Sequence, residues 1–462
     1  MTICMFKPAL VVLLALGLTG CATYRAMPLV QRPNLASSVA ALNLTVPPYA
    51  GTPPRTLSIN RPFTMDQIGV LAILNDPDLA VERSTLANAR ASLLTASILP
   101  NPQISLGFSA LLGGPAATTP SYAASLSQDI MSLITYHTRI TAARETFASV
   151  NASLLWQEWQ VAQKARLLAL QIYADEVAIG YRKHELSLLS SELRDVRKAT
   201  AAGNLDLSAE APLIAAVAGF QSTLATAKLS RLKAWQQLDA ILGLEPYVRF
   251  PIATPHVMPP PPKLLGLIAS LPQRRPDLVA LRLGYRASEA RLREAILLQF
   301  PSLKLGPAYG RDTSDVKSIG PTATLDLPIF NRNQGGIASA KATRGELYAD
   351  YQAKLDTAIG MVRALRKRIS VLRADYRNAA HEAKSAGEIA RRAEQAYSQG
   401  SIDQRTLADY QTTVLERQLE ATGFKTQMQS DELALAIELG IGLPTTRLTV
   451  HSPAPPALYP AS

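Results

Sequence analysis

A chain of 462 residues, 47% of them apolar, is long enough for several hydrophobic cores and too apolar to stay disordered. Aromatic residues make up only 6%, and the long central tracts are crowded with Ala, Leu, Gln, Arg and Glu, the composition of long helices packed through small side chains. A formal charge of +11 would suit nucleic acid, but the Lys and Arg residues are scattered along helical tracts beside Glu and Asp, with no basic arm, so no nucleic-acid partner is expected.

In chain order, Lys7 precedes an apolar stretch from Ala9 to Leu18 and then small residues, the layout of a secretory signal and too short to cross a bilayer as a helix. Leu18, Thr19, Gly20 and Cys21 resemble the lipobox of bacterial lipoproteins, which implies a signal over 1–20 and a covalent lipid on Cys21. Cys4 falls inside that signal, so the mature chain keeps one lipid-blocked cysteine and no thiol for a disulfide or a zinc site. Ala22 stands where an Asp would favour inner-membrane retention, so the resemblance points outward. Residues 21–63, with their prolines, read as an extended or wrapping arm, not core.

Two halves then repeat one pattern. Pro77, Asp78 and Leu79 recur as Pro276, Asp277 and Leu278, and Leu106 and Leu126 recur as Leu305 and Leu325, all at an offset of 199. Further on, Gly203, Asp206 and Gly243 recur as Gly400, Asp403 and Gly440 at an offset of 197. These matches in one order predict an internal duplication: a first repeat over 64–250, a Pro-rich linker over 251–263, a second repeat over 264–445 and a tail over 446–462.

Each half opens with a helix, Asp78 to Leu99 and Asp277 to Gln299, stopped by a proline. Alternation follows. Ile104, Leu106, Phe108, Ala110 and Leu112 face away from Ser105, Gly107 and Ser109, and a turn near Gly113 to Pro120 leads to a second alternating run through Tyr122, Ala124 and Leu126. The second half repeats this with Ile319, Ala323, Leu325, Leu327 and Ile329 against Thr322, Thr324 and Asp326. The hairpins, about 102–131 and about 302–330, have the length and two-faced character of tilted membrane strands.

Very long proline-poor tracts come next, about 137–243 and about 336–441. In the first, Leu154, Val161, Leu168, Leu189 and Val196 share one heptad register beside Ala165, Ile172, Ile179, Leu186 and Leu193. In the second, Tyr351, Ala358, Leu365, Leu372 and Ala379 run beside Leu355, Val362, Ile369, Tyr376 and Ala383. A continuous helix from Ile337 to Gln399 would be roughly 95 Å long. Gly203 and Gly400 mark the helix stops, so each half is expected to hold one long helical hairpin.

Four strands cannot close a barrel, and an open edge in lipid would leave backbone groups unpaired, so the subunit must assemble. Two copies would give eight strands and a filled interior; three give twelve and a lumen, which favours a homotrimer.

The duplicated order of helix, hairpin and long helical hairpin, together with the run Pro328 to Gly335 and the stretch Gly400 to Gln411, resembles the outer-membrane efflux protein family, the TolC-like channels. That resemblance implies a mainly α fold with a trimeric twelve-strand barrel in outer-membrane lipid, continued by a helical tunnel into the periplasm. It also implies a passive, gated conduit served by a periplasmic adaptor and an inner-membrane transporter of the resistance-nodulation-division type. The turns Gly203, Asn204, Leu205, Asp206 and Gly400, Ser401, Ile402, Asp403 match the places where the family docks its adaptor. Two acidic residues often constrict the tunnel just beyond the second turn; here those positions are Thr406 and Asp409, so only the second is acidic. The run Asn331 to Gly335 looks like members that export heavy-metal cations.

No nucleophile motif, phosphate loop or catalytic carboxylate cluster is visible, which argues against an enzyme, and no cofactor is expected. The histidines lack metal-ligand spacing, and His137, placed near a strand end, reads as a polar interfacial residue. The competing reading is a periplasmic adaptor or structural lipoprotein that uses its coiled coils to bridge partners. Such a protein has no need for two strand pairs of membrane length.

Overall fold

In the computed structural model, residues 24–47, 55–113, 118–259 and 264–441 are described. Cys21, its signal and the tail over 446–462 lie outside them. Residues 24–35 belong to a separate small unit and contain no helix or strand.

The remaining chain is mainly helical. Helices α1 (Met65–Asn75) and α2 (Pro77–Ser97) lead to strands β1 (Gln103–Ser109) and β2 (Ser121–Asp129), then to the long helices α3 (Ile130–Ala201) and α4 (Glu210–Leu242). Two short helical pieces, Leu264–Ala269 and Leu271–Arg274, precede α5 (Pro276–Leu297), β3 (Ser302–Arg311), β4 (Lys317–Asp326), α6 (Gln334–Ser398) and α7 (Gln404–Glu438). The order helix, two strands, two long helices therefore occurs twice. The 72 residues of α3 would extend about 108 Å, and the 65 of α6 nearly as far.

Each boundary has a local cause. Thr64 and Gln67 form a reciprocal capping box that starts α1. Pro77 occupies the first turn of α2, and the Asp76 carboxylate accepts from the N–H groups of Asp78 and Leu79. Four helices end in the same way. Gly203, Gly243, Gly400 and Gly440 all have φ between +64° and +73°. The N–H of the following residue reaches back five positions, as in Asn204 to the Ala199 carbonyl and Ser401 to that of Ala396. This is the Schellman closure, which needs the left-handed region that glycine enters without strain.

Two expected boundaries move. The first long helix was placed from about 137 after a hairpin reaching 131; it starts at Ile130 directly out of the strand, because the Asp129 carboxylate caps Met131 N–H at 2.9 Å. His137 therefore stands inside α3, not at a strand end. In the second hairpin Leu327 and Ile329 lie beyond β4, which stops at Asp326 just before Pro328 removes a backbone donor. Ala110 and Leu112 likewise fall outside β1.

The heptad rows find their partners. Ala165, Ile172, Ile179 and Leu193 of α3 are buried, as are Ala358, Val362, Leu365, Ile369 and Ala379 of α6. The largest core joins Ala165 and Ile172 of α3 to Ile68 and Leu71 of α1, Trp235 and Leu238 of α4, and Leu42 and Phe63 of the arm. The arm is thus part of the core: Ala36 bridges to Leu244, and Phe63 packs edge-on against Phe250 at 5.4 Å. A second core gathers Leu264, Val362, Leu365, Ile369, Leu435 and Leu439, and a third ties α3 to α5 through Ala152, Val279, Ala280 and Leu283.

Candidate functional site

Three regions carry the functional reading: the sheet, the helical turns, and the contact between α3 and α7.

The four strands form one antiparallel sheet in the order β1-β2-β3-β4. Residues paired across strands share a face. Ile104, Leu106 and Phe108 pair with Leu126, Ala124 and Tyr122; Ala124 pairs with Tyr309, and Tyr309 with Ile319. Leu305 pairs with Ala323 and Leu303 with Leu325 on the same side. The opposite face holds Ser105, Gly107, Ser109, Ser121, Ser125, Ser127, Gly306, Thr322 and Thr324. The apolar face is uncovered within one chain: Leu106 is 78% and Ile319 81% exposed. Both outer strands, β1 and β4, keep a free edge.

The sheet's two faces demand small residues between its halves. Ser125 pairs with Ala308 and Gln128 with Leu305, and Gly306 lies between, where an added Cβ would stand 1.7 Å from the Leu126 carbonyl oxygen. Only hydrogen fits there.

Both turns lie open to solvent. Gly203, Asn204, Leu205 and Asp206 are exposed, as are Gly400, Ser401 and Asp403, with Ile402 half-buried. The Asp206 carboxylate accepts from Ser208 N–H at 2.7 Å and the Asp403 carboxylate from Thr406 N–H at 2.8 Å. These bonds to the charged form hold both carboxyls below the ordinary range. The structure brings the two turns together: Gln404 donates to Asp195 at 3.3 Å, and Arg405 pairs with Glu192 at 3.6 Å.

Thr406 and Asp409 sit in the first turns of α7. Thr406 serves the cap, while Asp409 is exposed and lies close enough to Glu192 of α3 to oppose its ionisation. Glu192 and, one heptad earlier, Glu185 are buried acids on α3 that sequence reasoning passed over. A signal was present only for a third buried acid, Asp175: the register through Leu154, Val161 and Leu168 is interrupted by Asp175 and Arg182 before Leu189 resumes it. Asp175 is 8% exposed and accepts from Gln171 and Ser230, so burial raises its pKa while those hydrogen bonds pull it back.

The run Pro328 to Gly335 forms the entry to α6. Asn333 takes a left-handed backbone with φ 58°, and its side-chain amide donates to the Ala295 carbonyl at 2.9 Å. Among the described residues no group of three or more His, Cys, Asp or Glu could hold a metal ion, and no helix is long and apolar enough to cross a membrane.

Comparison with known proteins places these features. Over 206 residues the chain is 27% identical to outer membrane protein OprJ of Pseudomonas aeruginosa; the match covers 41% of this chain and 43% of OprJ, less than half the length of that relative. Two solved structures share the fold. The outer membrane protein VceC of Vibrio cholerae aligns with a TM-score of 0.65 at 18% identity, over 82% of this chain and 97% of VceC. The CmeC outer membrane channel of Campylobacter jejuni gives 0.64 at 17% identity, over 81% and 85%. Residues 267–440, which hold α5, the β3–β4 hairpin, α6 and α7, match the family model for outer membrane efflux protein.

Proposed function

We propose that the chain is the outer-membrane channel of a tripartite efflux pump: a passive, gated exit duct for small molecules or metal ions. The observation that carries this reading is the four-stranded sheet, uncovered and apolar on one face, small and polar on the other, with both edges unpaired. Lipid is the solvent that suits the first face and water the second. Three copies edge to edge would make twelve strands, remove every free edge and enclose a lumen. The names of VceC and CmeC, an outer membrane protein and an outer membrane channel, support the location.

In this reading the long helices extend the lumen into the periplasm. The exposed turns at Gly203 to Asp206 and Gly400 to Asp403 offer the adaptor a docking surface, and an inner-membrane transporter of the resistance-nodulation-division type supplies the energy. Cys21 would carry the lipid that tethers each subunit. Asp409, repeated threefold, would favour cations at the constriction. A role limited to bridging partners leaves the uncovered apolar face of the sheet without a purpose.

The test is direct. Membranes extracted in detergent are expected to yield a trimer that migrates more slowly before heating than the monomers it releases after, and that conducts ions in planar bilayers. Asp409→Ala is expected to lower cation selectivity. A monomer released without detergent once the lipid is removed would overturn the channel reading.

A further inference from the structure

Where α7 lies against α3, acids meet acids. Glu185 of α3 is 2% exposed, and one of its carboxylate oxygens has no hydrogen-bond partner. Across the contact stands Glu416 of α7, close enough to oppose its ionisation. The nearest cation on its own helix, Arg182, donates to the Thr223 carbonyl of α4 at 3.1 Å. One heptad further along α3, Glu192 is 7% exposed and faces Asp409 and Asp403 of α7, with Arg405 as its one counter-charge at 3.6 Å. Glu416 and Asp409 are also one heptad apart on α7, running the opposite way. The like-charge contacts therefore recur in register along two antiparallel helices.

The neighbours do not neutralise this seam. Asp195 of α3 adds a third acid, held by Gln404 and Lys198. Glu210 of α4 is matched by Arg197. Arg417, next to Glu416, is shared between Glu382 of α6 and Glu420. A carboxylate buried beside another carboxylate gains by taking up a proton, which removes the repulsion and turns the pair into donor and acceptor.

We infer that the Glu185–Glu416 and Glu192–Asp409 pairs form a proton-operated clasp that holds α7 against α3 when protonated and loosens it when ionised. Burial first, and Glu416 second, push the Glu185 carboxyl up to about 7 from an ordinary 4.5. Burial and then Asp409 push Glu192 upward as well, with Arg405 opposing. A pKa raised by packing means that the packed helices bind the extra proton. The clasp is then at full strength below the ordinary carboxylate value and is lost as pH rises through about 7. Its consequence for a duct rests on the channel reading, since α7 carries Asp409; the clasp itself is a property of the helix pair.

Amide hydrogen exchange on the full chain, corrected for the intrinsic pH dependence, tests this. Protection of residues 409–416 is expected to fall about tenfold or more between roughly pH 5 and pH 8 in the unaltered chain. Glu185→Gln, neutral at every pH, is expected to keep most of the acid-level protection, with only the Glu192–Asp409 pair left to loosen. Glu416→Gln alters only the exposed partner and so stays informative should the buried substitution unfold the protein; it is expected to move the transition to lower pH. Protection that is equal at both pH values, that falls as steeply in Glu185→Gln as in the unaltered chain, or whose midpoint does not move in Glu416→Gln, would overturn the clasp. A conducting trimer with pH-independent protection would remove the clasp alone, and a working clasp in a chain that never conducts would remove the channel reading alone.

Discussion

Arg275 shows how much a single side chain can organise. Its guanidinium, 4% exposed, donates to Asp277 at 2.8 and 2.9 Å, pairs with Glu438, and lies over the Trp156 ring at 4.7 Å. Replacing it by Leu leaves Glu438 without its counter-charge and Asp277 with Lys354 at 4.0 Å, a loss of about 3–5 kcal/mol. Denaturant unfolding should register that loss, and Arg275→Lys should recover part of it, since an ammonium keeps the charge without the planar fork. Gly306 makes the opposite point, a position that admits no side chain. Gly306→Ala is expected to destabilise the sheet by roughly 1–3 kcal/mol, whereas Gly310→Ala, whose Cβ would sit 3.5 Å from the nearest atom, should be tolerated. Comparing the temperatures at which the two variants lose their trimeric electrophoretic form checks this. The repeat of Pro77, Asp78, Leu79 as Pro276, Asp277, Leu278 made Asp277 visible in the sequence, but its Glu438 neighbour lies 163 positions from Arg275. No local pattern connects residues that far apart.

At the level of elements, heptads and alternation are readable because helix and strand periods are local properties. The seams through Ile172 and Val362 and the strand through Ile104 to Phe108 follow from them directly. The junctions were less legible. A side-chain cap such as Asp129 on Met131 works through one hydrogen bond, which hydrophobic periodicity does not record. Buried acids escaped for the same reason, since Glu185 and Glu192 lie off the apolar registers. The helix caps at the two turns give a further prediction. Asp206 and Asp403 have lowered pKa values, so their contribution is present above the ordinary carboxylate range and is lost as pH falls through the folded value. Exchange at Ser208 and Thr406 should rise only in strong acid, and Asp403→Ala should raise it at Thr406 already at neutral pH. The acid response at the turns thus has the opposite sign to that of the clasp a few residues away.

On the scale of the whole molecule, the halves repeat in order but are not independent. Ser149 of α3 donates to the Ala280 carbonyl of α5 at 2.8 Å, Leu433 of α7 joins the core of the first half, and Phe63 of the arm is 1% exposed. Residues 264–441 expressed alone should therefore be degraded rapidly in limited proteolysis, although they contain the stretch that matches the family model. Phe63→Ala should cost the full chain about 3–5 kcal/mol, measurable by thermal melting. That the prolines of the arm do not keep it out of the core was invisible in composition, which treats extended backbone and exposed backbone alike.

The two junctions between sheet and rod differ mechanically. At Asp129 the chain passes from strand to helix within one peptide bond, so α3 is welded to the sheet and can tilt only if β2 twists with it. At the other junction seven residues, Leu327 to Asn333, intervene between β4 and α6, and the Asn333 amide ties them to α5. Any load applied at the far end of the helices will be borne stiffly along α3 and given way to at the base of α6. The rod therefore has a fixed mast and a boom, and its travel is set by the Asn331 to Gly335 turn.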